Sequence, residues 1–123
     1  MRSSYLTAII LALASAGFAL EGQIGIHDPS TIIQCNGKYY TFGTGGGGLI
    51  SNDGWTWNRG VSRPGGGVAP DVIHIGDRYY LYYSTSRRQP QADVHMIWNR
   101  ILDPGSPDFK WEDGGIVASS DGE

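Results

Sequence analysis

Ile26-His27-Asp28-Pro29-Ser30-Thr31-Ile32-Ile33-Gln34 decides the fold, because it sets a carboxylate ahead of a β-branched run that the chain then repeats as Val68-Ala69-Pro70-Asp71-Val72-Ile73-His74-Ile75. After each acid come the apolar run, a tight turn and a tyrosine-rich strand. These strands are Lys38-Tyr39-Tyr40-Thr41-Phe42 in the first copy and Arg78-Tyr79-Tyr80-Leu81-Tyr82-Tyr83 in the second. The two tyrosine pairs lie 40 residues apart. At that spacing Asp28 aligns with Val68 and Asp71 with Thr31, so the two acids are separate placements on a common scaffold.

Outward from these runs, the chain shows period-two stretches bounded by turn residues and no sustained helical period, which predicts an all-β fold. The first unit reads as strands over residues 31–35, 38–44, 49–51 and 56–59, with turns at Asn36-Gly37 and at Asn52-Asp53-Gly54. The second reads as strands over 71–75, 78–84 and 94–99 and a fourth around Trp111, with a turn at Gly76-Asp77 and a proline-containing loop over 102–107. Trp57-Asn58-Arg59-Gly60 and Trp111-Glu112-Asp113-Gly114 close the two units alike. A repeat of about 40–45 residues made of short strands is the spacing of propeller blades, each of which buries its faces only by stacking on neighbours.

Composition agrees. The 123 residues include 19 Gly, 7 Tyr and 4 Trp, a balance of tight turns and aromatic strands. Net charge is −3 and the nine basic residues are scattered, with only Arg87-Arg88 adjacent, so no footprint for nucleic acid is present and a neutral ligand fits better than a polyanion. Residues 1–19 read as a secretory signal: Arg2, an apolar core over residues 6–14, and a small-x-small site at Ala14-Ser15-Ala16. The apolar run is shorter than the ~20 residues that span a bilayer, so a signal is favoured over a membrane anchor. The expected organisation is a signal peptide over 1–19 and a partial propeller domain over 20–123, exported to the periplasm or medium, with no membrane contact after cleavage. Cys35 stands alone and reads as a small buried hydrophobe.

Gly45-Gly46-Gly47-Gly48 lacks the Gly-Lys-Ser/Thr of a phosphate loop and reads as backbone that passes close to a ligand or a neighbouring blade. His27, His74 and His95 have no metal-ligand spacing, and only His27 adjoins a candidate acid. Asp53, Asp77 and Asp113 suit solvated turns. Asp28 and Asp71 do not, because each runs directly into an apolar strand. Carboxylates at the mouths of inner propeller strands converge on a central cavity, and glycoside hydrolysis needs a base or nucleophile on one face of the sugar and an acid on the other.

His27-Asp28-Pro29-Ser30, Ala69-Pro70-Asp71-Val72, Tyr79-Tyr80-Leu81-Tyr82-Tyr83-Ser84 and the run from Leu102-Asp103-Pro104 through Trp111-Glu112-Asp113-Gly114 together resemble glycoside hydrolase family 43, most closely its endo-1,5-α-L-arabinanases. The resemblance covers nearly all of the chain after the signal. It implies a five-bladed β-propeller, of which this chain supplies about the first two blades, and inverting hydrolysis of plant cell-wall arabinan by a protein that is monomeric at full length. By motif it implies that Asp28 is the general base and Asp71 the pKa-modulating and orienting acid, with His27, Gly45, Gly46 and Ala69 in contact with substrate. The family's general-acid glutamate has no counterpart here, since Glu21, Glu112 and Glu123 lie outside its motif, so residues 20–123 alone are expected to be inactive. No cofactor is expected within this stretch, and the resemblance allows a central calcium or other metal in the full-length enzyme.

Three alternatives stand beside this reading. The first is a β-xylosidase or α-L-arabinofuranosidase type of the same family. The second is a sialidase-like propeller, suggested by Ser51-Asn52-Asp53-Gly54-Trp55-Thr56-Trp57, which is one residue short of that motif. The third is a non-catalytic sugar-binding propeller that uses Trp55, Trp57 and Trp98 as stacking platforms.

Overall fold

The computed structural model describes residues 19–88 and 91–120, in which every regular element is a β-strand. The expected signal, residues 1–19, lies outside them apart from its last residue. Two sheets follow one another along the chain. The first has the order β1-β5-β4-β3-β2, from β1 (Glu21–Gly22), β2 (Ile33–Cys35), β3 (Lys38–Phe42), β4 (Gly47–Ser51) and β5 (Thr56–Ser62). The second is the meander β6-β7-β8-β9, from β6 (Val68–Ile75), β7 (Arg78–Arg88), β8 (Gln91–Asn99) and β9 (Glu112–Ser120). These are two propeller blades.

Local chemistry explains most boundaries. Asn36 and Gly37 both have positive φ, 49° and 78°, which is the two-residue turn that matches the twist of the β2–β3 hairpin and pairs Cys35 with Lys38. Gly76, at φ 62°, serves the β6–β7 hairpin, where Ile75 pairs with Arg78. The first inner strand is shorter than the expected 31–35 because the amides ahead of it are used elsewhere: Ser30 N–H donates to the Phe42 carbonyl (2.7 Å) and Thr31 N–H to Asp71 Oδ1 (2.9 Å). The fourth strand of the second blade starts only at Glu112, because the Trp111 indole N–H reaches across to the Ser62 carbonyl of the first blade (3.0 Å). Strand β1 has no local signature in the sequence: its two residues pair parallel with Thr56 and Trp57 as an edge contact.

The β4–β5 turn is held by one carboxylate. Asp53 Oδ1 accepts from the amides of Trp55 and Thr56, each at 2.8 Å, and from the Ser51 hydroxyl at 3.0 Å. These donors, the backbone amides above all, pull its pKa from 3.8 down to about 2. A group with a depressed folded pKa stabilises above its unfolded pKa and loses that contribution as pH falls toward the folded value. Asp53→Ala is therefore expected to lower the melting temperature at pH 6, and the gap from wild type should close between about pH 4 and pH 2. Thermal melts across that range check it, and a gap that is constant with pH would refute the assignment.

One apolar cluster spans both sheets, with Cys35, Tyr40, Phe42 and Val61 from the first and Val72, Tyr79, Leu81, Tyr83 and Ile97 from the second, joined by Leu102. Cys35 is a free, buried thiol within it, as its setting suggested. The loop after β8 folds back into this seam: Trp111 meets Phe42 edge-to-face at 5.8 Å and Phe109 at 6.1 Å. Burial also reports the repeat. Ile33 and Cys35 pack into the cluster, whereas Ile73 and Ile75, 40 residues on, are 49% and 56% exposed. They present on the second blade the face that the first blade presses against its neighbour.

Candidate active site

Inner strands β2 and β6 start at one end of the sheet pair, and at that end lie the β3–β4 loop (residues 43–46) and the β5–β6 loop (residues 63–67). Asp28 sits on the approach to β2, five residues before it, and Asp71 sits inside β6, past a register shift between Val68 and Asp71. Where the sequence predicts an acid at the mouth of each inner strand, the structure has one on a connecting segment ahead of the strand and the other lying three residues inside a bulged strand.

Asp28 is held at one oxygen. Its Oδ2 lies 2.8 Å from His27 Nδ1 and accepts the Thr44 hydroxyl at 3.1 Å. Its side chain is 51% exposed, and Oδ1 has no protein partner among the described residues. A carboxylate fixed at one oxygen and open to solvent at the other is set up to take a proton from water. Asp71 is fixed differently. Its Oδ1 accepts the Thr31 amide from the first blade, and that bond is the main reason its pKa lies below the ordinary value, against a smaller opposing effect of desolvation. Asp71 therefore stays ionised through the neutral range while tying the two blades together.

The other expected contact residues gather here. The Ala69 amide donates to Thr44 Oγ1 (3.0 Å), and the Gly45 amide donates to the Gly67 carbonyl (2.8 Å). The Gly46 carbonyl accepts the Arg63 amide (2.9 Å). Gly46, at φ 95°, would place a Cβ 3.0 Å from the Arg63 carbonyl, so the glycine run lets two loops meet rather than cradling a phosphate. His27 is open to solvent, its side chain 79% exposed.

Three residues that sequence reasoning passed over prove central. Thr44 and Thr31 carry no motif and are picked out only by what the fold brings to them. Arg63 is 6% exposed: one guanidinium nitrogen lies 3.4 Å from the Gly43 carbonyl and another 3.4 Å from that of Pro64. The group lies 4.4 Å above the Tyr83 ring, and its Nε has no partner. Burial lowers its pKa, and the ring face compensates part of that cost. Among the described residues no three His, Cys, Asp or Glu side chains gather as metal ligands.

The aromatic platforms fare less well. Trp57 is buried at 3% exposure, Trp98 is covered by the Arg78 guanidinium at 3.9 Å, and Trp55 is 41% exposed.

No family model matches the chain. Among curated proteins it is 34% identical to the extracellular exo-alpha-(1->5)-L-arabinofuranosidase ArbA of Cellvibrio japonicus, with 95% of this chain and 38% of the relative aligned. It is 35% identical to a probable arabinan endo-1,5-alpha-L-arabinosidase A of Aspergillus flavus, over 94% of this chain and 40% of that one. Among solved structures it superposes on an exo-1,5-alpha-L-arabinanase from a bovine ruminal metagenomic library (TM-score 0.69, 33% identity, 77% of this chain and 37% of that one). It also superposes on the GH43 endo-arabinanase of Bacillus licheniformis (TM-score 0.69, 28% identity, 86% and 42%). The chain spans about 40% of the length of the curated relatives it matches.

Proposed function

We propose, from the premise that the chain resembles the arabinanases of glycoside hydrolase family 43 and carries two blades of their propeller, that it supplies the water-activating half of an active site that hydrolyses arabinan with inversion. The observation that carries this reading is the Asp28 carboxylate, clamped at Oδ2 by His27 and Thr44 with Oδ1 open to solvent. In an inverting mechanism Oδ1 takes a proton from a water molecule, the oxygen of that water attacks the anomeric carbon, and a carboxylic acid on the opposite face protonates the departing glycosidic oxygen. Base and acid then stand about 6.5–9.5 Å apart to leave room for the water. Glu21 and Glu112 do not suit the acid's role. The first lies in edge strand β1, and the second is paired with Lys110 at 3.0 Å.

A solved relative, the Cellvibrio cellulosa alpha-L-arabinanase (30% identity, TM-score 0.67), is complexed with arabinohexaose, which supports a pentose oligomer as the ligand class. Export agrees with the extracellular relative and with the leader read over residues 1–19. The sugar-binding alternative is weakened because two of its three tryptophans are already covered.

Asp71 takes the orienting role: its contact with the Thr31 amide holds the approach to β2, and so Asp28, against the second blade. Asp71→Ala in the full-length protein is expected to lower kcat about 10²-fold by freeing that approach. Asp71→Asn, which keeps an oxygen for the Thr31 amide, should recover at least about a tenth of wild-type kcat if orientation dominates. Equal losses in the two variants would show instead that its charge acts on the acid. The whole reading is tested by incubating the full-length protein with debranched arabinan and following new reducing ends and their anomeric configuration by NMR. No cleavage, or a product that keeps its configuration, refutes it.

A further inference from the structure

Building on the reading of Asp28 as the base, we propose that the Thr44 hydroxyl is its positioning group and sets the base by the position of the second blade. Thr44 Oγ1 stands between two residues in the left-handed region, Asp28 at φ 45° and Ala69 at φ 46°. Among the described residues the other non-glycine residue with positive φ is Asn36, in a turn where such a residue is at ease; Asp28 and Ala69 have no such turn to excuse them. Both are held by the same oxygen.

Proton counting fixes the direction of the relay. The Ala69 amide can only donate, so at 3.0 Å it occupies a lone pair of Thr44 Oγ1. The single hydroxyl proton is left for Asp28 Oδ2, 3.1 Å away, where it meets a charge-bearing acceptor. Together with His27 this immobilises Oδ2 and leaves Oδ1 as the oxygen that faces water. The chain Ala69 to Thr44 to Asp28 thus runs from β6 of the second blade to the base of the first.

The position of Thr44 itself does not depend on its hydroxyl. Its amide donates to the His27 carbonyl (2.9 Å), the preceding Gly43 carbonyl lies 3.4 Å from the Arg63 guanidinium, and the flanking Gly45 amide is bonded to Gly67. Removing the hydroxyl therefore leaves the loop in place and releases only the two residues it bridges.

The test compares Thr44→Val, which keeps the shape, with Thr44→Ser, which keeps the hydroxyl, in the full-length protein. Thr44→Val should lower kcat on arabinan about 10–100-fold while KM changes less than about threefold, since the loss falls on alignment of the base and not on sugar contacts. Thr44→Ser should return kcat to within about threefold of wild type. Independently of turnover, hydrogen exchange at the Ala69 amide should accelerate at least about tenfold in Thr44→Val and stay near wild type in Thr44→Ser. Unchanged Ala69 exchange in Thr44→Val overturns the clamp whatever the activity. Faster exchange with unchanged kcat overturns its role in positioning the base. Should wild type fail to cleave arabinan, the hydrolase reading falls while the exchange measurement still decides the clamp. If Thr44→Val does not fold, Thr44→Ala gives the same two readouts.

Discussion

Asp28→Ala in the full-length protein should lower kcat on debranched arabinan by about 10³-fold or more and leave KM within a few-fold of wild type, since the general base alone is worth about 10²–10⁴ and its removal takes away no sugar contact. The carboxylate is half exposed, and its loss empties no core volume, so the fold should survive. The contacts it gives up are those to His27 and Thr44 at the surface. Azide, a nucleophile that needs no deprotonation, should restore part of the turnover by entering from the vacated face and giving an arabinosyl azide of inverted configuration. Isothermal titration with an arabino-oligosaccharide separates binding from chemistry. Near-wild-type turnover in the variant would remove Asp28 from the base's role, and loss of binding together with turnover would make it a sugar ligand instead.

Phe42→Ala is expected to be the most damaging change to stability. Phe42 is fully buried, packs edge-to-face on Trp111, and its backbone amide donates to Ser30 Oγ at 3.0 Å. Truncating a buried phenylalanine costs about 3–5 kcal/mol, a large share of the about 5–15 kcal/mol that holds an ordinary domain folded. The ring sits at the end of β3, directly before the loop that carries Thr44, so the cavity would loosen the seam just behind the base. Urea denaturation followed by tryptophan fluorescence should show a midpoint shift of that size, whereas Asn52→Ala, at an exposed turn position, should stay within about 0.5 kcal/mol. Comparable shifts in the two variants would show that the seam around Phe42 is not the main source of cohesion.

The repeat was legible because its signals are local. Alternation along residues 78–83, the Asn36-Gly37 turn and the acid-led apolar runs each act within a few residues, and period two follows from the pleat itself. Edges were less legible. Whether residues 31–32 extend the ladder depends on where their amides find acceptors, and for Thr31 that acceptor is Asp71, 40 residues away. The same holds for Trp111, whose indole bond to Ser62 decides where β9 begins.

The all-β class, the 40-residue unit, and the two carboxylates that stand apart from turn aspartates can be read from residue order alone, which also makes His27 the neighbour of Asp28 without saying whether their side chains meet. Only the tertiary structure decided which oxygen of Asp28 is tied down, that Asp71 reaches back to the first blade, and that Thr44 and the buried Arg63 belong to the site at all. The physical reason is the range of the interactions. Strand patterning and turn chemistry are written into successive residues, whereas Thr44 lies 16 residues from Asp28 and 25 from Ala69, and its hydroxyl gains meaning only when packing of Phe42, Tyr83 and Leu81 into one cluster sets the two blades side by side.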